Sequence, residues 1–194
     1  MPLPEAGPER KASPDEEALV SRAKAGDADA FADLYLRYLR PVFRYFLYRV
    51  GQVQDAEDLT ELVFLKAWQS MSSYNSRGVP FSAWVFTIAH NVAIDHYRAG
   101  HPAEPLDETM EIEDEAAGPE DVVQRKLEAQ ELARALARLS PLEQSVVALR
   151  FVDGLDHRTV ATIIDKSETA TRSILSRALD RLARILSPRW GHER

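Results

Sequence analysis

From Asp29 onward, apolar side chains recur in steps of three and four: Phe31, Leu34, Tyr35, Tyr38, Leu39, Val42, Phe43 and Phe46. This spacing puts them on one face of a helix. Pro41 falls inside the run. A proline there lacks an amide donor and crowds the preceding turn, which predicts a kink or a break. Gly51 ends the stretch, and Asp55 is placed to cap a second helix carrying Leu59, Leu62, Val63, Leu65, Ala67 and Trp68. The stretch YNSRGVP at 74–80 is a turn by composition. A third helix starts near Phe81, presents Phe81, Trp84, Val85, Ile88 and Val92, and fades near Gly100. Ahead of all three, Ser13-Pro14-Asp15-Glu16 reads as a helix start. Ser13 caps, Pro14 takes the first helical position and Glu16 closes a capping box.

The pattern stops at residues 101–119, which hold three prolines and a glycine and have no helical period. It resumes from Glu120 to Leu139. Ser140-Pro141-Leu142-Glu143 is a second capping box, opening a helix predicted over 141–152, with Asp153-Gly154 as its stop. Asp156 caps a short helix to Ile164, and Asp165-Lys166-Ser167 makes a tight turn. Ser167 caps a long last helix bearing Ile174, Leu175, Ala178, Leu179, Leu182 and Ile185. No stretch alternates as a strand does. The expected fold is all-α: two small helical domains joined by an acidic flexible linker, the C-terminal one a helix-turn-helix. The divisions are a flexible extension at 1–14, a first domain at 15–100, a linker at 101–119, a second domain at 120–187 and a tail at 188–194.

Charge changes this picture. The whole chain carries a net −7, unpromising for contact with nucleic acid, but residues 101–131 hold 11 acidic and 2 basic side chains, whereas residues 132–194 hold 11 basic and 7 acidic. A local basic surface, not the total, sets attraction to phosphate. Cysteine is absent, which excludes disulfides and thiolate-bound metal. The N-terminal residues have no apolar core of a secretory signal, and no apolar run approaches the roughly 20 residues that span a bilayer. The expectation is a cytoplasmic protein without membrane insertion. There is no Gly-rich phosphate loop, HExxH or GxSxG, so no catalytic residue, cofactor or metal site is expected. His90, Asp95 and His96 are discounted as ligands because His90 and Asp95 point to different faces.

Two helices joined by a short turn, the second basic, describe a helix-turn-helix. Ala161 is small where the helices approach. Asp165 tolerates the left-handed conformation that the turn requires. Leu155, Val160, Ile163, Ile164 and Ile174 supply a shared core. The second helix then offers Ser167, Glu168, Thr169, Thr171, Arg172, Ser176 and Arg177 to DNA. Thr171 departs from the pattern, since a buried Val or Ile usually stands there. Arg172 is placed for bidentate contact with guanine, while Arg177, Arg181 and Arg184 lie further along, nearer phosphate or solvent.

Two further stretches are more specific. One runs Asp55-Ala-Glu-Asp58-Leu-Thr-Glu61-Leu-Val-Phe64-Leu-Lys66-Ala-Trp68, the other Phe81-Ser-Ala-Trp84-Val-Phe-Thr-Ile88-Ala-His-Asn91-Val-Ala-Ile-Asp95-His-Tyr-Arg98. Together they resemble domain two of the extracytoplasmic-function (ECF) sigma factors of RNA polymerase. Residues 139–182 are similar to domain four of the same family. The resemblance implies that Asp55, Asp58, Leu59, Glu61, Phe64 and Trp68 dock on the clamp coiled coil of core RNA polymerase. For Trp68 itself, burial in the core is the favoured reading. It also implies that Asn91, Asp95 and Arg98, with the loop residues Tyr74, Asn75, Ser76 and Arg77, read the minus-ten promoter element, and that the last helix reads the minus-thirty-five element. The acidic linker, with Glu111, Glu113, Asp114 and Glu115, either enters the polymerase cleft or serves as a spacer.

The implied partners are bacterial core RNA polymerase, promoter DNA and an anti-sigma factor, with the free protein a monomer. The alternative is a stand-alone helix-turn-helix regulator, which would be a dimer on a palindromic site. It leaves the two N-terminal stretches unexplained.

Overall fold

The computed structural model describes residues 14–75, 79–100, 131–152 and 154–190. The first half contains α1 (Pro14–Lys24), α2 (Ala28–Val50), α3 (Val53–Ser70), a 3-10 turn at Met71–Ser73 and α4 (Phe81–Arg98). The second contains α5 over 131–136, α6 (Pro141–Val147), a π-turn at Ala148–Val152, α7 (His157–Ile163) and α8 (Glu168–Trp190). There is no strand among the described residues. The proposed Ser13 cap, the linker, Ser76, Arg77, Asp153 and residues 191–194 lie outside them.

Helix α2 is the centre of the first half. Leu34, Tyr38, Val42, Tyr45 and Phe46 are buried along it against α3 and α4. Rings interlock across these contacts: Tyr35 with Phe64 at 4.7 Å, Tyr38 with Phe81 at 5.5 Å and Tyr45 with Phe86 at 5.8 Å. Pro41 neither ends nor splits the helix, which runs unbroken through it. An interior proline costs about 3 kcal/mol. Five fully buried side chains, each contributing roughly 1.5–3 kcal/mol, outweigh that. Asp27 caps α2 by accepting from the amides of Asp29 and Ala30, and Gly51, at φ 82°, ends it in the left-handed conformation.

One further helix start differs from the pattern. The Glu16 carboxylate is buried and accepts from the Tyr38 hydroxyl at 2.8 Å and from Arg37 at 3.4 Å, tethering α1 to α2. Asp55 is not the cap of α3. The helix begins at Val53 with Gln52 at the cap, which leaves Asp55 in the first turn.

In the second half, Ser140 and Glu143 form the expected capping box. The helix predicted over 141–152 is α-helical only to Val147 and then widens into the π-turn. Beyond it, the Leu155 amide donates to the Leu149 carbonyl, and Arg150 reaches the Leu155 carbonyl at 2.9 Å. These contacts fold the chain back so that Leu149 and Leu155 share one core. Asp156 caps α7 through the Thr159 amide. Asp165 takes φ 53°, the left-handed turn expected of it. Ser167 accepts from the Ala170 amide at 3.1 Å at the start of α8.

The two halves touch. The C-terminal part of α2 packs on α6 and the π-turn, and α4 packs on α7. At this seam Arg49 is buried. Its Nη1 donates to the Tyr45 hydroxyl at 2.6 Å and to Ser145 Oγ across the seam.

Candidate nucleic-acid interface

The polymerase-docking set divides on α3. Asp58, Glu61 and Trp68 are exposed and Asp55 is half-buried, but Leu59 and Phe64 are buried. These two cannot present a surface and are removed from the set. At 100° per residue the buried positions Ala56, Leu59, Thr60, Val63, Phe64 and Ala67 cover about 140° of the helix. Leu62, Leu65 and Trp68 fall outside that arc, 38%, 54% and 40% exposed. Trp68 is therefore not core, although its ring rests on Phe31 at 4.9 Å. The exposed face is an apolar strip, Leu62–Leu65–Trp68, bordered by Asp58 and Glu61. The signal that could have found it was in the sequence, because apolar residues occupy more of this helix than one core face holds.

On α4, Asn91, Asp95 and Arg98 share one exposed face, with Asp95 and Arg98 4.0 Å apart. Trp84 and Ile88, on the same side, are only half-buried. Tyr74 is not available to DNA. It is buried, its hydroxyl donates to the Val79 carbonyl at 2.8 Å, and its ring meets Trp84 at 4.8 Å. Burial and the nearby Glu16 charge push its phenol up to about 12. Tyr74 thus anchors the loop whose exposed Asn75 follows it. Among the described residues no group of His, Cys, Asp or Glu is arranged to hold a metal.

Behind α4 lies His90, 6% exposed, with Nδ1 3.4 Å from the Tyr45 hydroxyl. Burial, and then the charge of Arg49, lower its pKa to about 4. The fold therefore disfavours the protonated ring. Its stability is unaffected above the unfolded value near 6.5 and falls as pH drops from there toward 4. Between pH 7.5 and pH 5 this linkage should remove about 2 kcal/mol. Urea midpoints across that range should show it, and His90→Gln should flatten the slope. An unchanged slope would mean that the ring is not held neutral.

On α8, Ser167, Glu168, Thr169, Arg172, Ser176 and Arg177 are exposed at the N-terminal half of the helix. Arg172 pairs with Glu168 at 2.5 Å, and Arg177 Nε donates to the Ser173 carbonyl at 3.2 Å. Further along, Arg181 binds Glu143 at 3.1 Å, tying α8 to α6. Thr171 is fully buried, with its hydroxyl donating to the Ser167 carbonyl, so it belongs to the core and leaves the DNA set. That carbonyl also accepts the Thr171 amide. Thr171→Val should accordingly change stability by no more than about 1.5 kcal/mol and leave DNA affinity unchanged in a gel-shift titration. Leu155, Val160, Ala161, Ile163, Ile164 and Ile174 are all buried, as the helix-turn-helix requires. His157 lies beside this site. Burial, then Arg150 and Arg172, lower its pKa, against the opposing charges of Glu168 and Asp156.

Two family models match the chain: Sigma-70 region 2 over residues 34–101, and Sigma-70, region 4 over residues 129–182. The ECF RNA polymerase sigma factor SigD of Mycobacterium tuberculosis is 36% identical over 179 residues, covering 86% of this chain and 81% of SigD. The chain belongs to the ECF RNA polymerase sigma factors. ShbA of Streptomyces griseus, another ECF sigma factor, is 35% identical over 176 residues, covering 85% of this chain and 92% of its own. BldN of Streptomyces coelicolor is 39% identical over 170 residues, covering 87% of this chain, which spans 64% of BldN's length. Among solved structures, CnrH in complex with the cytosolic domain of CnrY aligns over 90% of this sigma factor and 99% of CnrH, with TM-score 0.71 and 21% identity. RpoE in complex with the anti-sigma factor NepR from Bartonella quintana aligns over 80% and 96%, with TM-score 0.65 and 21% identity. These two likenesses establish the all-helical fold. No helix among the described residues is long and apolar enough to cross a membrane.

Proposed function

We propose that this sigma factor docks on core RNA polymerase through α3 and gives it promoter choice through two readers. Leu62, Leu65, Trp68, Asp58 and Glu61 form the docking face, with Asp55 at its border. Asn91, Asp95 and Arg98 on α4, with the loop from Asn75 through Ser76 and Arg77, take the minus-ten element. Ser167, Glu168, Thr169, Arg172, Ser176 and Arg177 on α8 take the minus-thirty-five element. The observation that carries this reading is Arg172, exposed in the second turn of the helix that follows a helix-turn-helix bend. Early residues of such a helix reach base edges in the major groove.

The chain contributes no chemistry of its own in this reading. Polymerase makes the bonds, and the protein works as a cytoplasmic monomer until it binds. An anti-sigma factor is the proposed inhibitor, as the RpoE complex supports by analogy. The residue sets, together with the division into a first domain at 15–100 and a second at 120–187, are part of the proposal. In vitro transcription with purified protein, core polymerase and a promoter library tests it. Defined starts that depend on the protein and share two upstream motifs at fixed spacing are expected. Binding of the protein alone to a palindromic duplex, with no initiation, would instead make it a stand-alone regulator.

A further inference from the structure

Helix α1 ends before residue 34, where the match to Sigma-70 region 2 begins, so that likeness assigns it no part in promoter reading. It carries one unusual group. The Glu16 side chain is 9% exposed, and its carboxylate accepts from the Tyr38 hydroxyl on α2 at 2.8 Å. Taking a carboxylate out of water is costly, and tethering α1 needs no such group. Leu19, Val20 and Ala23 already bury one side of the helix, and Arg37 reaches the exposed Asp15 at 2.6 Å. What the buried carboxylate adds is direction, because its hydrogen bond fixes where the Tyr38 ring stands.

That ring is the first of four in one cluster. Tyr38 meets Phe81 at 5.5 Å, Phe81 meets Tyr74 at 5.7 Å and Trp84 at 5.5 Å, and Tyr74 meets Trp84 at 4.8 Å. Tyr74 stands at the root of the loop that opens with Asn75 and donates to the Val79 carbonyl. Trp84 is half-buried on the side of α4 that bears Asn91. The far end of α1 reaches the same cluster, with the Lys24 ammonium 5.9 Å from the centre of the Tyr74 ring. Burial, and then the Glu16 charge, raise the Tyr74 phenol, so the carboxylate acts on this ring as well as on Tyr38. Close-packed rings transmit a displacement at one end of the cluster to the other.

We propose that Glu16, which lies outside both readers, is a positioning residue for the minus-ten reader: by fixing Tyr38 it sets the ring cluster that holds Tyr74 at the root of the loop and Trp84 beside Asn91. The role deepens the sigma-factor reading and rests on it. Without the carboxylate the rings keep their apolar contacts, so the domain stays folded. The Tyr38 hydroxyl, however, loses an acceptor in a buried site, and the ring shifts toward another. The loop and Trp84 then take more than one position against the DNA. Preference among bases falls, while contact with the duplex persists.

Glu16→Leu, Glu16→Gln and Tyr38→Phe test this in holoenzyme assembled with core polymerase, by transcription from promoters varied singly through each element. Preference among bases at the minus-ten positions should fall at least about fivefold in Glu16→Leu and in Tyr38→Phe. Glu16→Gln keeps an acceptor for Tyr38 and should stay within about twofold of wild type, as should the minus-thirty-five preference and the core affinity of all three. Tyr38→Phe retains the ring and removes only the hydroxyl, so it decides the matter if Glu16→Leu unfolds in a circular dichroism melt. Unchanged minus-ten preference in Tyr38→Phe overturns the proposal. Equal loss at both elements overturns it too, since that marks general loosening of the fold. A Glu16→Gln protein as poor as Glu16→Leu overturns the part given to the hydrogen bond. If the wild-type protein gives no polymerase-dependent starts, the sigma-factor reading fails and the positioning role falls with it. Normal starts from wild type and variants alike sink the positioning role alone.

Discussion

Leu62→Asp combined with Leu65→Asp is expected to weaken binding to core RNA polymerase at least about a hundredfold. The fold should tolerate both changes, because the two side chains are 38% and 54% exposed and sit outside the buried arc of α3. The interface should not. Burying a leucine fully contributes roughly 1.5–3 kcal/mol, and an aspartate in its place must be desolvated on docking without a partner arranged for it. A hundredfold corresponds to about 2.7 kcal/mol, so two such losses reach that mark even if each is only partly realised. Fluorescence anisotropy with labelled protein and core enzyme measures it, and a circular dichroism melt confirms that the helices remain. Wild-type affinity in the double variant would move the docking face elsewhere on the molecule.

Arg172→Ala should cost about 1–3 kcal/mol at one base pair of the minus-thirty-five element and little elsewhere. The side chain is already exposed and pairs with Glu168 across one helical turn, a contact that holds it without burying it. On DNA the guanidinium exchanges that carboxylate for the O6 and N7 of a guanine. Glu168 is then freed to accept from a cytosine amino group or to turn to solvent. Transcription from a promoter set varied singly through the element distinguishes the outcomes. A loss confined to one position identifies base reading, whereas uniform weakening with a shallower salt dependence identifies a phosphate contact.

The second domain was the more legible half of the sequence. Ser140, Asp156, Asp165 and Ser167 each carry a local signal whose geometry depends on few neighbours, and each does in the structure what its residue type suggests. Where the reading failed, it was mostly a distant contact that decided the matter. Pro41 is a helix breaker by local rules, but the packing of α2 against two other helices overrides it. Asp55 is a good capping residue by type, but α3 starts two positions earlier with Gln52 at its cap. Leu59, Phe64, Tyr74 and Thr171 have side chains suited to an interface, and only tertiary packing reveals that they face inward. The converse error hid Leu62 and Leu65. Hydrophobicity says that a residue prefers to be covered, but it does not say whether its own chain or another covers it.

The distance along the chain between Arg49 and its partner across the seam has a consequence for the protein's first moments. Ser145 lies 96 residues downstream. At about 5–20 residues per second of synthesis, the ribosome takes on the order of 5–20 s to supply it. During that interval α1 to α4 can already pack as a unit, with the Arg49 guanidinium still in water and nothing yet made that could cover it. Every newly synthesised molecule therefore makes its first domain before the seam that buries Arg49 exists.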